Sequence, residues 1–176
     1  IFMTPQLTFT PDQEQALSQF LVFIRAREMR KLWILTGYAG TGKSTLIAHL
    51  VGQMRQEKLP FKLLAPTGRA AKVLANYAGF PASTIHRHIY FSGGEWSSQG
   101  LTLAKNLHKN TLFFVDEASM LAAAAPQEAT NVLEDLLNYV YNGENCHLIF
   151  IGDPGQLPPV GQDHSIALLP QILAEA

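Results

Sequence analysis

A chain of 176 residues, 47% apolar and 15% charged, has room for one α/β domain with a real core, and it is neither a disordered tail nor two such domains. With 13 basic against 14 acidic residues the net charge is −1, so any basic footprint for nucleic acid must be local. The single cysteine, Cys146, excludes an intrachain disulfide framework, and no apolar run nears the roughly 18 residues of a membrane span, so the chain reads as soluble and cytoplasmic.

Thr10-Pro11-Asp12-Gln13 has the order of a helix start: a capping hydroxyl, proline at the first helical position, then an acid. Ala16, Leu17, Phe20, Leu21 and Ile24 recur at helical spacing, which predicts an amphipathic helix from 11 to about 29. Leu32–Thr36 is a short, nearly all-apolar run, the pattern of a parallel strand buried on both faces. Glycines follow, then a helix through Leu46, Ile47, Leu50 and Val51. The alternation continues with strand Phe61–Ala65, helix Arg69–Tyr77, strand Leu112–Val115, helix Gln127–Tyr141 and strand His147–Ile151. Strands alternating with helices of this length predict an α/β fold, a parallel sheet with helices on both faces. Between Ile89 and Asn110, Gly93-Gly94 separates Tyr90-Phe91 from Trp96, as in a hairpin or small insertion. Ala122–Ala125, four alanines in a row, carries no weight.

Gly37-Tyr38-Ala39-Gly40-Thr41-Gly42-Lys43-Ser44 fits G-x-x-x-x-G-K-[ST] in full, between a predicted strand and a predicted helix. The spacing has a chemical reason. Glycines let backbone N–H groups from Gly37 to Thr45 converge on a phosphate at a helix N-terminus, whose dipole favours an anion. Lys43 then reaches the β- and γ-phosphates of ATP, and the Ser44 hydroxyl ligates Mg²⁺. The strand Leu112–Val115 runs into Asp116 and Glu117. In a nucleotide hydrolase Asp116 binds the Mg²⁺ directly or through water, and Glu117 polarises the attacking water as general base. Taken alone, two acids after a strand also suit a plain helix start; the phosphate loop upstream favours the catalytic reading.

Together these motifs resemble the RecD-like branch of superfamily 1 DNA helicases, specifically its first, RecA-like motor domain. Leu7–Gln13 looks like the family's Q motif, Gly37–Thr45 its motif I, Ala65–Ala71 its motif Ia and Ser83–Arg87 its motif Ib. Val115–Met120 matches motif II, and Gly152-Asp153-Pro154-Gly155-Gln156-Leu157-Pro158-Pro159-Val160 matches motif III, all in family order. The resemblance implies that Gln13 reads the adenine edge, although its spacing from Thr10 also makes a capping box, and both can hold. It implies that Gln156 contacts the γ-phosphate, that Asp153 supports the loop or the metal shell, and that strand 147–151 lies between strands 32–36 and 112–115. It further implies single-stranded DNA as partner, held by Pro66, Thr67, Gly68 and Arg69 and again by Thr84 and His86. Arg69, Lys72, His86, Arg87 and His88 then form a local basic cluster. Relatives carry a strand-separating pin near 89–110, with Phe91 and Trp96 as wedge candidates beside the equal option of packing aromatics. Some relatives sit in recombination or nuclease complexes.

On this reading residues 1–176 are a single domain, and the arginine-donating second motor domain of the family lies outside the chain. The polypeptide alone is therefore expected to bind nucleotide, hydrolyse it poorly and not unwind DNA. The rival readings are a small-molecule kinase, which motif III disfavours, and a nucleotide-sensing module without turnover.

Overall fold

The structure, a computed structural model, describes residues 8–26, 31–91, 102–121 and 131–153. In chain order the elements are α1 (Pro11–Arg25), β1 (Leu32–Thr36), α2 (Lys43–Gln56), β2 (Phe61–Ala65), α3 (Gly68–Ala78), β3 (Ala82–Thr84), α4 (Ile85–Ile89), β4 (Tyr90–Phe91), β5 (Thr102–Leu103), β6 (Leu112–Val115), a 3₁₀ turn (Ala118–Met120), α5 (Val132–Tyr141) and β7 (His147–Gly152).

Five strands form one parallel sheet in the order β1-β7-β6-β2-β3. β7 lies between β1 and β6, with Leu32 opposite Leu148 and Leu112 opposite His147. Side-chain alternation then builds two cores. Phe113, Val115, Leu148 and Phe150 face α4 and α5, meeting Ile85, Ile89, Leu133, Leu136 and Val140. Leu112, Phe114, Ile149 and Ile151 face the other way, onto Phe20 of α1, Leu46, Leu50 and Met54 of α2, and Leu74 of α3. β6 and β7 are buried along their whole length. β1 is only half-buried, because it is the edge of the sheet among the described residues and has a strand on one side alone.

The predicted strands 32–36, 61–65 and 112–115 match, and β7 extends one residue further, to Gly152. Helix 11–29 is shorter than expected, ending at Arg25, where the cap residue Ala26 turns extended (ψ 139°). Lys31 accounts for that ending: its buried ammonium donates to the carbonyls of Phe23 and, at 2.8 Å, Ala26, neutralising the C-terminal end of α1. The helix predicted from Gln127 begins, in its described part, at Val132, capped by the Asn131 side chain; 122–130 fall outside the described residues. In the segment expected to form a hairpin or small insertion, β4 pairs antiparallel with β5, Tyr90 opposite Leu103; the residues that join them lie outside those described. Trp96 and the pair Gly93-Gly94 lie outside the described residues, whereas Phe91 is exposed. Sequence reasoning did not find β3 or α4, which are three and five residues long.

Candidate nucleotide and nucleic-acid site

α1 starts as its residues dictate. Thr10 accepts from the backbone of Gln13 at 3.3 Å, and the Gln13 side-chain oxygen accepts from the backbone of Thr10 at 3.0 Å, a complete capping box. The Gln13 amide nitrogen remains, and it donates to the carbonyl of Thr41 at 3.1 Å. One side chain therefore caps α1 and holds it to the glycine loop.

That loop joins β1 to α2. The Gly37 N–H donates to the carbonyl of Gly152 at 3.2 Å, which ties its start to the end of β7. Thr41 folds back, its hydroxyl donating to the carbonyl of Tyr38 at 2.8 Å. Gly40 and Gly42 take left-handed backbone, φ +80° and +81°, which L side chains rarely adopt. Gly42 is the N-cap of α2, and no side chain caps that end. The first-turn N–H groups of Lys43, Ser44 and Thr45 are thus left for an external acceptor, the arrangement an anion requires. The Lys43 ammonium donates to the carbonyls of Gly37 and, at 2.8 Å, Tyr38, so it stays inside the loop's own curve. Ala39, Gly40, Thr41, Ser44 and Thr45 are exposed. Thr10, Asp12, Gln13, Gly37, Tyr38, Gly42, Lys43 and their neighbours enclose a cavity of about 490 Å³, the size of a small-molecule site.

The two acids stand at the end of β6. The Asp116 N–H donates to the carbonyl of Leu64 at 3.0 Å, which continues the sheet by one more bond. Glu117 takes left-handed backbone at φ 53°, and its N–H donates to Asp116 Oδ1 at 2.9 Å. A non-glycine residue there carries strain of order 1 kcal/mol, as found at functional sites. Burial raises the Glu117 carboxyl above its usual range, Asp116 adds to that, and the positive charge of Arg69 opposes both. A raised carboxyl is a better proton acceptor near neutral pH. The acids do not line the cavity. Tyr77 stands between them and the loop: its hydroxyl donates to Asp116 Oδ2, and the nearby Ser44 hydroxyl slightly eases its ionisation against the larger upward push of burial and Asp116. Tyr77 went unnoticed in the sequence: it stands three residues after Leu74 on α3 and reads as one more apolar-face aromatic. Its partner Asp116 lies 39 positions away, so no local spacing signals the bond.

The residues expected to contact DNA cluster at the same sheet edge. β2 and β3 pair with Ala65 opposite Thr84, so the turns into α3 and α4 emerge side by side. Thr67 caps α3, accepting from Ala70 N–H at 3.2 Å, and Thr84 caps α4, accepting from Arg87 N–H at 3.2 Å. Pro66 and Thr84 are half-buried, while Thr67, Gly68, Arg69, Lys72, His86 and Arg87 are exposed. His88 does not belong to the basic cluster. It is partly buried, its ring stacked on His108 and edge-on to Phe113 and Tyr139, and its pKa is lowered to about 4 by burial, His108 and Lys62. It is neutral at neutral pH. Asp153 is buried just past β7, and Gln156 lies outside the described residues.

A parallel sheet bearing a glycine loop between β1 and α2, with two acids at the end of β6, defines a P-loop nucleotide-binding domain. The sequence profile of the AAA domain family matches residues 8–174. The ATP-dependent RecD2 DNA helicase of Deinococcus radiodurans is 35% identical over 130 residues, covering 74% of this chain and 16% of the relative. The ATP-dependent DNA helicase Pif1 of Bdellovibrio bacteriovorus is 29% identical over 167 residues, covering 88% of this chain and 34% of the relative. The crystal structure of Pif1 from Bacteroides in complex with ADP-AlF3 and single-stranded DNA superposes with a TM-score of 0.56 at 19% identity, over 97% of this chain and 37% of that one. The chain belongs to the AAA domain family, within its RecD- and Pif1-like superfamily 1 motor domains. It spans no more than about a third of the length of the curated relatives it matches.

Among the described residues no helix is long and apolar enough to cross a membrane.

Proposed function

We propose that this chain is the first motor domain of an ATP-driven DNA helicase, binding ATP with Mg²⁺ and gripping single-stranded DNA at the ends of β2 and β3. The observation that carries the reading is the setting of Tyr77. Tyr77, bonded to Asp116 whose other oxygen accepts from Glu117, also feels the Ser44 hydroxyl of the loop that holds Lys43, which supports reading the phosphate cradle and the paired carboxylates as one site. A hydroxyl and a carboxylate are hard oxygen donors and fit Mg²⁺, which takes one or two protein oxygens with phosphate oxygens and water. When bound, the cation neutralises charge building on the transferred phosphate.

The chain's own groups do the remainder. The first-turn N–H groups of α2 and those of Gly40 and Thr41 hold the phosphates, with Lys43 turning its ammonium from the Gly37 and Tyr38 carbonyls to the anion. Ser44 and Asp116 hold the cation. Glu117 takes a proton from the attacking water, a role its raised carboxyl favours. Gln13, already bonded to Thr41, stands at the α1 side of the cavity, where an adenine edge is within reach of its amide. Gln156, four positions after β7 in the sequence, is assigned the γ-phosphate contact by the resemblance alone. Thr67, Gly68, Arg69, Thr84 and His86 meet the DNA backbone, supported by the pairing of β2 with β3. The Bacteroides Pif1 neighbour, bound to single-stranded DNA, supports the same partner here.

The test is ATP turnover by the full-length polypeptide with and without single-stranded DNA. Turnover should rise with DNA, and Glu117→Gln should abolish it while leaving ATP binding intact. The 176-residue chain alone should bind ATP yet turn it over about 10³-fold or more slowly, because an arginine donated by a second motor domain is worth that much. Turnover indifferent to DNA, or equal in the short and long polypeptides, refutes the motor reading.

A further inference from the structure

Two charged side chains line the cavity beside the glycine loop: Lys43 from the loop and Asp12 from the first turn of α1. A nucleotide's phosphates are strongly anionic, so Lys43 marks the phosphate end, and a carboxylate in the same cavity tolerates the ligand only at its nucleoside end. Asp12 is exposed, and its carboxylate has no hydrogen-bond or ion-pair partner among the described residues. An acid in the first turn also favours the helix dipole, but Glu14 fills that role on α1 without lining the cavity.

Gln13, the neighbour of Asp12, is already largely committed. Its oxygen accepts from the Thr10 N–H, and its nitrogen donates to the Thr41 carbonyl. The N–H that remains suits N7, an acceptor that adenine and guanine share. Position 6 separates the two purines, an amine in adenine and a carbonyl in guanine. An ionised carboxylate can only accept, and it accepts more strongly than an amide oxygen that is already bonded. Beside a 6-amino group it gains a charge-assisted hydrogen bond; beside a 6-keto group it meets lone pairs.

We propose that Asp12 is a specificity-determining residue, whose carboxylate reads the exocyclic amine of the base and makes a purine site an adenine site. The inference rests on the nucleotide-binding reading and adds to it the group that rejects a keto base.

The experiment compares ADP with IDP, which carries a carbonyl where ADP carries the amine, by calorimetric titration of the full-length protein. The wild type should prefer ADP. Asp12→Asn, whose amide can turn a donor to the carbonyl, should shrink that preference about tenfold, chiefly by binding IDP better. Glu14→Gln removes an equal charge two positions along and should leave the preference as it is. A preference unchanged by Asp12→Asn, or shrunk equally by Glu14→Gln, overturns the proposal. So does a carboxylate that serves the sugar: Asp12→Asn then weakens ADP and IDP alike, and 2′-deoxy-ADP binds more weakly than ADP to the wild type but not to the variant. A wild type that binds neither ADP nor IDP removes the nucleotide reading itself, and this proposal with it. Should Asp12→Asn fail to fold, the wild type alone decides. Purine riboside 5′-diphosphate, with only hydrogen at position 6, should bind more weakly than ADP and more tightly than IDP; affinity equal to that of ADP means that nothing in the site reads the amine.

Discussion

Gly40 and Gly42 share left-handed backbone, yet a methyl group meets different surroundings at the two positions. At Gly40 nothing lies within 4 Å of an added Cβ; at Gly42 the Cβ runs into the Gln13 amide nitrogen. That amide is the end of a flexible side chain and can move, but moving it breaks the bond to Thr41 and loosens the capping box at Thr10. Gly40→Ala should therefore cost only the left-handed penalty, about 1 kcal/mol. Gly42→Ala should cost about 1 kcal/mol more, the worth of a hydrogen bond. Urea unfolding without nucleotide measures both. In a Gln13→Ala background the two alanine variants should become equal, since the obstructing amide is gone; a persistent gap would mean that Gln13 is not the cause.

Thr67 and Thr84 act at the scale of elements, since each cap starts the helix that presents the adjoining basic residues. Thr67→Ala removes the acceptor for Ala70 N–H and should destabilise the protein by about 1 kcal/mol, with Thr67→Ser restoring most of it. Arg69→Ala touches no cap. It should leave stability nearly unchanged, yet lower the salt slope of single-stranded DNA binding by about 0.7, the value for one phosphate contact. Fluorescence anisotropy across a salt series reads this, and an unchanged slope removes Arg69 from the DNA contact. The elements themselves were legible where the pattern was long or the chemistry demanding. Leu112–Val115 is an unbroken apolar run and Phe61–Ala65 is broken only by Lys62, both too short for a helix, and the G-x-x-x-x-G-K-S loop dictates its own strand and helix. β3 and α4 were not legible, because three and five residues hold less than one period of any pattern. Tyr77 was hidden for a different reason: a hydroxyl on an apolar helix face discloses its purpose only when Asp116 arrives from a strand far along the chain.

At the scale of the molecule, the order of the strands came from the resemblance and not from periodicity, which fixes elements but not neighbours. Folding β7 between β1 and β6 brings together residues more than a hundred positions apart, and the packing of α4 and α5 on β6 creates an acid-sensitive feature no motif announces. His88 packs against His108, Phe113 and Tyr139, with Lys62 adding positive charge, and its Nε2 is buried with no hydrogen-bond partner among the described residues. Folding lowers its pKa from 6.5 to about 4. Above pH 6.5 both states are neutral at this residue. As pH falls below 6.5 the unfolded chain takes a proton that the folded chain refuses, so stability is lost between 6.5 and about 4 and the loss then levels off. The full shift corresponds to about 3 kcal/mol, which partial exposure and screening reduce to about 1–2 kcal/mol. His108 and His147, also lowered by burial, add to the same trend. His88→Leu removes the proton site without orphaning any partner, so its stability at pH 7 should match or exceed that of the wild type. Between pH 7 and 5 the variant should lose about 1 kcal/mol less, measured by urea unfolding at the two pH values. Equal losses in the two proteins would show that the imidazole of His88 takes its proton as readily inside the fold as outside it.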